Sequence, residues 1–303
     1  MSPWILATLA AAAVQTVRFS LQRQLKGAGL STGGATFSRF LFGFPLACLA
    51  AAVLIATQGK GGEIALPNAR FWAFGIAGGI AQIAATFCTV ALFSERSFAV
   101  GIAFTKTETV QVALFSTLVL GDRIPPLGYL AIVIGVAGVI LLSRPPKRAD
   151  GGKVTVFNRA TLLGLIAGAL FGASAIGYRG ATLEVASTDP LIRAAVALAC
   201  VTTFQTVAMA LWLRWRDPGE LTRVLGAWRS TALVGLTGVA GSFGWFTAFT
   251  LENAAYVRSL GQIELLFSFV VSTLIFRERS HPREVAGMAV LVVSIVMIVW
   301  ISA

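Results

Sequence analysis

One histidine and three cysteines leave this chain poorly equipped for metal chemistry or for a disulfide framework. The histidine, His281, stands beside Pro282 in a loop-like stretch and is poorly placed for catalysis. Cys48, Cys88 and Cys200 each fall within an apolar run, without the close spacing of zinc ligands. Charge is scarce as well, at 12% of residues, where soluble domains average about 25%. No Walker A pattern is present, and no HExxH or GxSxG, which removes the common sequence signals for an ATPase, a zinc peptidase or a serine hydrolase. Neither an enzyme nor a cofactor is expected. The opening MSPWILATLAAAAVQTVRF has no basic region ahead of its apolar stretch, so it reads as a first spanning helix and not as a cleaved leader.

What the chain has is apolar length. It is 56% hydrophobic, with a mean hydropathy of +0.81. Runs of roughly 18 to 25 apolar residues recur from end to end, each long enough to cross a hydrocarbon layer of about 30 Å. They do not alternate with a period of two, which excludes a lipid-facing β-barrel. The net charge of +11 would suggest a nucleic-acid partner in a soluble protein. Here the bases gather in short loops, where they set topology, and no nucleic acid is expected. The expected partners are a small-molecule metabolite, protons and membrane lipid, with the chain acting as a monomer or a homodimer.

Read in order, the runs give ten helices. Helix 1 (about Pro3 to Leu25) carries Gln15, Arg18 and Gln22 as one polar stripe. Helix 2 (about Thr32 to Thr57) holds Arg39 and Pro45, and helix 3 (about Phe71 to Phe93) holds the small residues Gly75, Gly78 and Gly79 beside Gln82. After a turn at Ser94–Ser97, helix 4 (about Phe98 to Gly121) contains Lys106, Glu108 and Gln111. Helix 5 (about Leu127 to Ser143) is uncharged, and the basic linker Arg144 to Arg159 follows. Helices 6 (about Thr161 to Tyr178), 7 (about Pro190 to Leu213, with Arg193 near its start) and 8 (about Ser230 to Leu251, with Trp245) come next. Arg214 to Arg229 reads as a basic loop and Asn253 to Arg258 as a turn. Helix 9 (about Ser259 to Phe276) carries Glu264, and helix 10 (about Glu284 to Ser302) is again uncharged inside.

The stretch FTKTETVQVALFSTLVLGDR recurs in the second half as LGQIELLFSFVVSTLIFRER. At one fixed offset Glu108 falls on Glu264, Ser116-Thr117-Leu118 on Ser272-Thr273-Leu274, Asp122-Arg123 on Glu278-Arg279 and Pro126 on Pro282. A run of matches at one offset marks an internal duplication. The expected fold is therefore an all-α integral membrane protein of ten transmembrane helices, arranged as two inverted five-helix repeats over residues 1–143 and 160–303, with residues 144–159 between them. Inverted repeats are a common basis for alternating access. Most lysines and arginines fall on the side of the linker, which places the linker in the cytoplasm and the termini outside.

Ionisable residues inside a membrane must be paired, hydrated or neutral, and they mark candidate sites. The candidates for substrate binding or coupling are Glu108, Glu264, Arg18, Gln82, Lys106, Gln111, Arg39, Arg193 and Trp245. Two readings of the glutamates stand side by side. In one they bind substrate or exchange a proton; in the other they pair with Arg18, Arg39 or Arg193 and hold the bundle together. A cavity with charges of both signs suits a zwitterion.

The five-plus-five duplication, the length, and the paired segments VLGDRIPPLGYLAIVIGVAGVILL and IFRERSHPREVAGMAVLVVSIVMI resemble the drug/metabolite transporter superfamily, in particular its EamA-like ten-helix transporters. The resemblance implies a multi-pass protein of the bacterial inner membrane that exports amino acids, metabolites or drugs. It also implies a central cavity from helices 1 to 4 and 6 to 9, which would hold Arg18, Gln82, Glu108, Trp245 and Glu264. That family often has proline early in its fourth and ninth helices, where this chain has Glu108 and Glu264, and its termini are usually cytoplasmic. The leading expectation is a secondary transporter exporting a small polar or zwitterionic metabolite such as an amino acid, coupled to protons. The alternatives are a translocator of an anionic or lipid-linked metabolite, and a non-transporting scaffold.

Overall fold

The computed structural model describes residues 2–27, 30–58, 67–92, 105–142, 159–267 and 282–301. Among these residues the regular structure is helical: α1 (Pro3–Gly27), α2 (Thr32–Leu41), α3 (Phe44–Gln58), α4 (Ala69–Leu92), α5 (Glu108–Phe115) running into a π-helical turn (Ser116–Leu120), α6 (Pro126–Leu142), α7 (Arg159–Leu183), α8 (Pro190–Arg216), α9 (Pro218–Gly226), α10 (Trp228–Leu251), α11 (Ala254–Leu260) and α12 (Pro282–Ile301). The turn at Ser94–Ser97, the linker residues 144–158 and the segment holding Ser272–Leu274 and Glu278-Arg279 lie outside the described residues.

The expectation of ten spans in two inverted five-helix repeats is not met. Among the described residues five stretches are long and apolar enough to cross a membrane: Thr32–Gln58, Ala69–Leu92, Arg159–Leu183, Pro190–Arg216 and Trp228–Leu251. The remaining apolar helices are shorter among the described residues. Glu108–Leu120, Pro126–Leu141 and Val285–Ile301 are apolar but short; at about 1.5 Å per residue, 17 residues reach only about 26 Å. Three further boundaries differ. Helix 2 is interrupted at Phe42–Gly43, the basic loop 214–229 contains α9, and the expected turn 253–258 is mostly α11. Asn253 accounts for the last, because its side-chain oxygen accepts from the Ala255 N–H at 2.8 Å and so starts a helix.

The residues fall into two compact units, 1–83 with 173–252 and 84–172 with 253–303, and the chain passes between them within α4, within α7 and after Glu252. In the first unit α1 packs along α10, and α3 along α8. Gly244 allows the first contact: a Cβ there would stand 3.0 Å from the Ala11 Cβ and the Ala7 carbonyl. Close approach through small residues is how membrane helices gain packing energy when lipid is as apolar as the protein. In the second unit α6 packs along α12. A Cβ on Gly138 would meet the Leu291 nitrogen at 2.8 Å, and Ser294 donates its hydroxyl to the Ala131 carbonyl at 2.7 Å. Many threonines in these helices donate to a carbonyl one turn back, among them Thr8, Thr89, Thr206 and Thr250, so their polarity is satisfied inside an apolar run. Large apolar side chains such as Leu49, Ile80, Leu211, Val296 and Trp300 point outward, as lipid-facing residues do.

Candidate functional site

In the first unit the site begins at a helix crossing. Gly78 of α4 and Gly177 of α7 meet so closely that a Cβ on Gly177 would lie 2.7 Å from the Gly78 Cα and from the Phe74 carbonyl. One turn beyond Gly78 is Gln82, and the residue after Gly177 is Tyr178. The crossing therefore delivers both side chains to one point, where the Tyr178 hydroxyl donates to Gln82 Oε1 at 2.7 Å. Gln205 of α8 completes the group: its Nε2 donates to Gln82 Oε1 at 3.0 Å, to Tyr178 Oη at 3.1 Å and to the Gly79 carbonyl at 3.1 Å. The Tyr178 ring stacks on Phe246 with centroids 4.4 Å apart.

Beside this network lies a small, partly open recess of about 10 Å³, room for about one water molecule. Arg39, Gln82, Gln205, Ser242, Phe40 and Phe246 are among its walls. Arg39 is 6% exposed and donates Nη2 to the Ser242 hydroxyl at 3.1 Å. Among the described residues lining the recess, Arg39 is the one that carries a charge. Arg18 is nearby: the stems of Arg39 and Arg18 both pack over Gly238, at 3.0 and 3.7 Å from where its Cβ would be. Arg18 Nη2 reaches Gln15 Oε1 at 3.4 Å, and the same oxygen accepts from Trp245 Nε1 at 3.1 Å. Trp245 in turn stacks on Phe249. The first unit thus brings Arg39 and Gln82 to one recess and ties Arg18 and Trp245 together through Gln15. Arg193 is elsewhere in the unit: its Nε donates to the Thr182 carbonyl at 2.8 Å, at the C-terminus of α7. Arg179 does the same for α10, donating to the carbonyls of Phe249 and Glu252 at 2.8 and 2.6 Å. A guanidinium at a helix C-terminus satisfies terminal carbonyls and suits the helix dipole.

The second unit gathers Lys106, Glu108, Gln111 and Glu264. The expectation that Glu108 lies deep within an unbroken helix is corrected: the backbone turns at Lys106–Thr107, and α5 starts at Glu108. The duplicated stretch is broken in nearly the same register, where α11 ends, residues 261–262 turn and the helix resumes at 263. Each acid therefore sits at the start of a helical segment, and Arg258 occupies the last turn of α11, positions that helix dipoles favour for these charges. The pairing is crossed between the two stretches. Glu108 Oε1 meets Arg258 Nε at 2.5 Å, and Glu264 pairs with Lys106. All four side chains are largely buried, with 10 to 14% of their surface exposed. Arg258 also stands 5.8 Å from the Phe171 ring centre. Lys106 feels Glu108 and Arg258 in addition to its own partner, so the four charges act as one neutral quartet. Gln111 Oε1 and Gln262 Oε1, beside the quartet in sequence, are buried acceptors that no donor among the described residues reaches.

Several of these residues were not singled out by sequence. Arg258 hides in what reads as a turn, although it stands six residues before a buried glutamate. Tyr178, Gln205 and Ser242 are neutral and give no signal on their own. Glu220 falls in a stretch that reads as a loop, yet it is fully buried. It accepts from the Ser31 N–H at 2.6 Å, at the N-terminus of α2, and from Arg223 Nε at 2.6 Å. That hydrogen bond pushes the Arg223 guanidinium above its ordinary pKa. Among the described residues no group of histidine, cysteine or carboxylate side chains is arranged to hold a metal ion.

Comparison with known proteins bears on these features. Among solved structures 29 chains match. One is a crystal structure with 16% sequence identity and a TM-score of 0.68, covering 98% of this chain and 95% of that one, a likeness of fold. Curated proteins yield no match. Residues 158–300 match the EamA-like transporter family. The apolar helices make the chain a multi-pass membrane protein, and the family matched over its second half is one of small-molecule transporters, not of enzymes.

Proposed function

We propose that the chain is a secondary transporter of the bacterial inner membrane that exports a small polar metabolite bearing a carboxylate, such as an amino acid. The observation that carries this reading is the recess in the first unit. A buried guanidinium, Arg39, faces a space otherwise walled by amide, hydroxyl, phenyl and aliphatic groups. A carboxylate on Arg39, hydrogen bonds from Gln82, Gln205 and Ser242, and an apolar portion against Phe40 and Phe246 match the chemistry of an amino acid, which the recess must widen to admit. The substrate gains access from each side in turn. The quartet of Lys106, Glu108, Arg258 and Glu264 is the coupling element: a proton taken up by either glutamate breaks the charge balance of a buried neutral group and biases one conformation over another. The clustering of arginine stems on Gly238 favours, as a second reading, a fully anionic metabolite.

The test is ligand-induced stabilisation of the purified full chain with amino acids, mono- and dicarboxylates, sugar phosphates and organic cations. Carboxylates are expected to stabilise. Arg39→Gln is expected to weaken that response about 10- to 100-fold in concentration, the value of a charge-assisted hydrogen bond of about 1.5–3 kcal/mol. Stabilisation by organic cations alone would refute the assignment, and a response to dicarboxylates and phosphates but not to amino acids would favour the second reading.

A further inference from the structure

The connector between α8 and α10 has a composition that the transport site does not explain. Both flanking helices are long and apolar enough to span a membrane, so residues 214–230 lie at a membrane face. The stretch carries Arg214, Arg216, Arg223 and Arg229, all exposed. Interleaved with them are outward-facing apolar groups: Trp215 is 80% exposed and Trp228 56%, with Leu225 and Trp212 alongside. Two acids are present, and both are engaged with one base: Asp217 and Glu220 each pair with Arg223. Arg223 is therefore neutralised by the fold. Arg229 lies 5.7 Å from the Trp228 ring centre, which leaves its charge intact. Short amphipathic α9 holds the arrangement in place, turning Glu220 and Val224 inward, with the Glu220 carboxylate anchored on the start of α2.

We infer that residues 211–230 form a binding surface for the headgroups of anionic phospholipids. Tryptophan rings and Leu225 sit at the level where acyl chains meet headgroups, which is where such amphipathic rings concentrate. Arg214, Arg216 and Arg229 reach the phosphate layer, where a planar guanidinium binds a phosphate oxygen pair in fork geometry. A net charge of +2 over the stretch, four bases against two acids, gives the surface its preference for a lipid of net negative charge over a zwitterionic one. Arg223, although it belongs to the same row, serves the fold and not the lipid.

Native mass spectrometry of the full chain in detergent provides the test, with phosphatidylglycerol and phosphatidylcholine of the same acyl chains titrated in parallel. Phosphatidylglycerol is expected to be retained in preference. Arg214→Gln and Arg216→Gln should each reduce that preference about fivefold, from about 1 kcal/mol per base at an anionic surface. The double lysine variant, Arg214→Lys with Arg216→Lys, should keep most of it, which separates charge from misfolding. Arg223→Gln should lower thermal stability in both lipids, since it strips Asp217 and Glu220 of their shared base. An unchanged preference in the Arg214→Gln/Arg216→Gln variant would overturn the inference. So would displacement of the lipid by soluble glycerol phosphate at equal concentration, which would mark a site for free phosphate.

Discussion

Replacing Glu108 by glutamine isolates what the quartet contributes. The carboxylate contacts Arg258 at 2.5 Å, and both side chains are nearly enclosed. Two unit charges about 4 Å apart attract by about 4 kcal/mol at an effective dielectric of about 20. Removing one member of a buried pair costs about 3–5 kcal/mol, because the other is left uncompensated. Glu108→Gln should therefore lose about 3–5 kcal/mol in reversible unfolding in mixed micelles, and Arg258→Gln a similar amount. The double variant removes both charges and restores neutrality around Lys106 and Glu264. It should lie within about 1–2 kcal/mol of the wild type, far from the sum of the two losses. Lys106 also lies in the field of Glu108, so a cycle between these two residues should show a smaller coupling. If the Glu108 and Arg258 losses add to within about 0.5 kcal/mol, the limit for independent sites, the two side chains are not partners and the quartet does not exist as described.

Gly177→Ala should cost about 1–3 kcal/mol by overpacking, since its Cβ would meet backbone atoms of Gly78 and Phe74 at 2.7 Å; the same unfolding assay reads this, and weaker carboxylate stabilisation should accompany it because Gln82 and Tyr178 are forced apart. Glu220→Ala removes the acceptor for the Ser31 N–H and for Arg223; about 1.5–3 kcal/mol should be lost, with faster limited proteolysis between Arg216 and Arg229.

Sequence made some of this molecule legible and hid the rest for identifiable reasons. The duplication singled out Glu108 and Glu264, because a charged residue in an apolar run is conspicuous and two at one offset are more so. Their partners were harder to find. Arg258 lies on α11, whose start depends on the Asn253 cap, and the residues around it look like a turn when that cap is not recognised. Gly75, Gly78 and Gly79 stand out in the sequence as small residues beside Gln82. What they pack against, and so the delivery of Gln82 to Tyr178 and Gln205, depends on a long-range crossing that no local pattern encodes. Apolar composition also reads as continuous helix. The structure instead breaks the chain at Phe42–Gly43, Lys106–Thr107 and 261–262. Those breaks carry no proline, and the last two set the buried charges at helix ends.

Substrate counterflow in proteoliposomes tests the central claim most directly. Vesicles containing the wild-type chain and loaded with an unlabelled amino acid should accumulate the labelled one transiently above equilibrium. Arg39→Gln should abolish or greatly weaken this at the same substrate concentration, while Arg193→Gln should retain it in whatever fraction of the protein is folded. Counterflow that is unaffected by Arg39→Gln would remove the recess from the transport path. Absence of counterflow with every carboxylate, from protein that still unfolds cooperatively, would contradict the account of this chain as a carboxylate exporter.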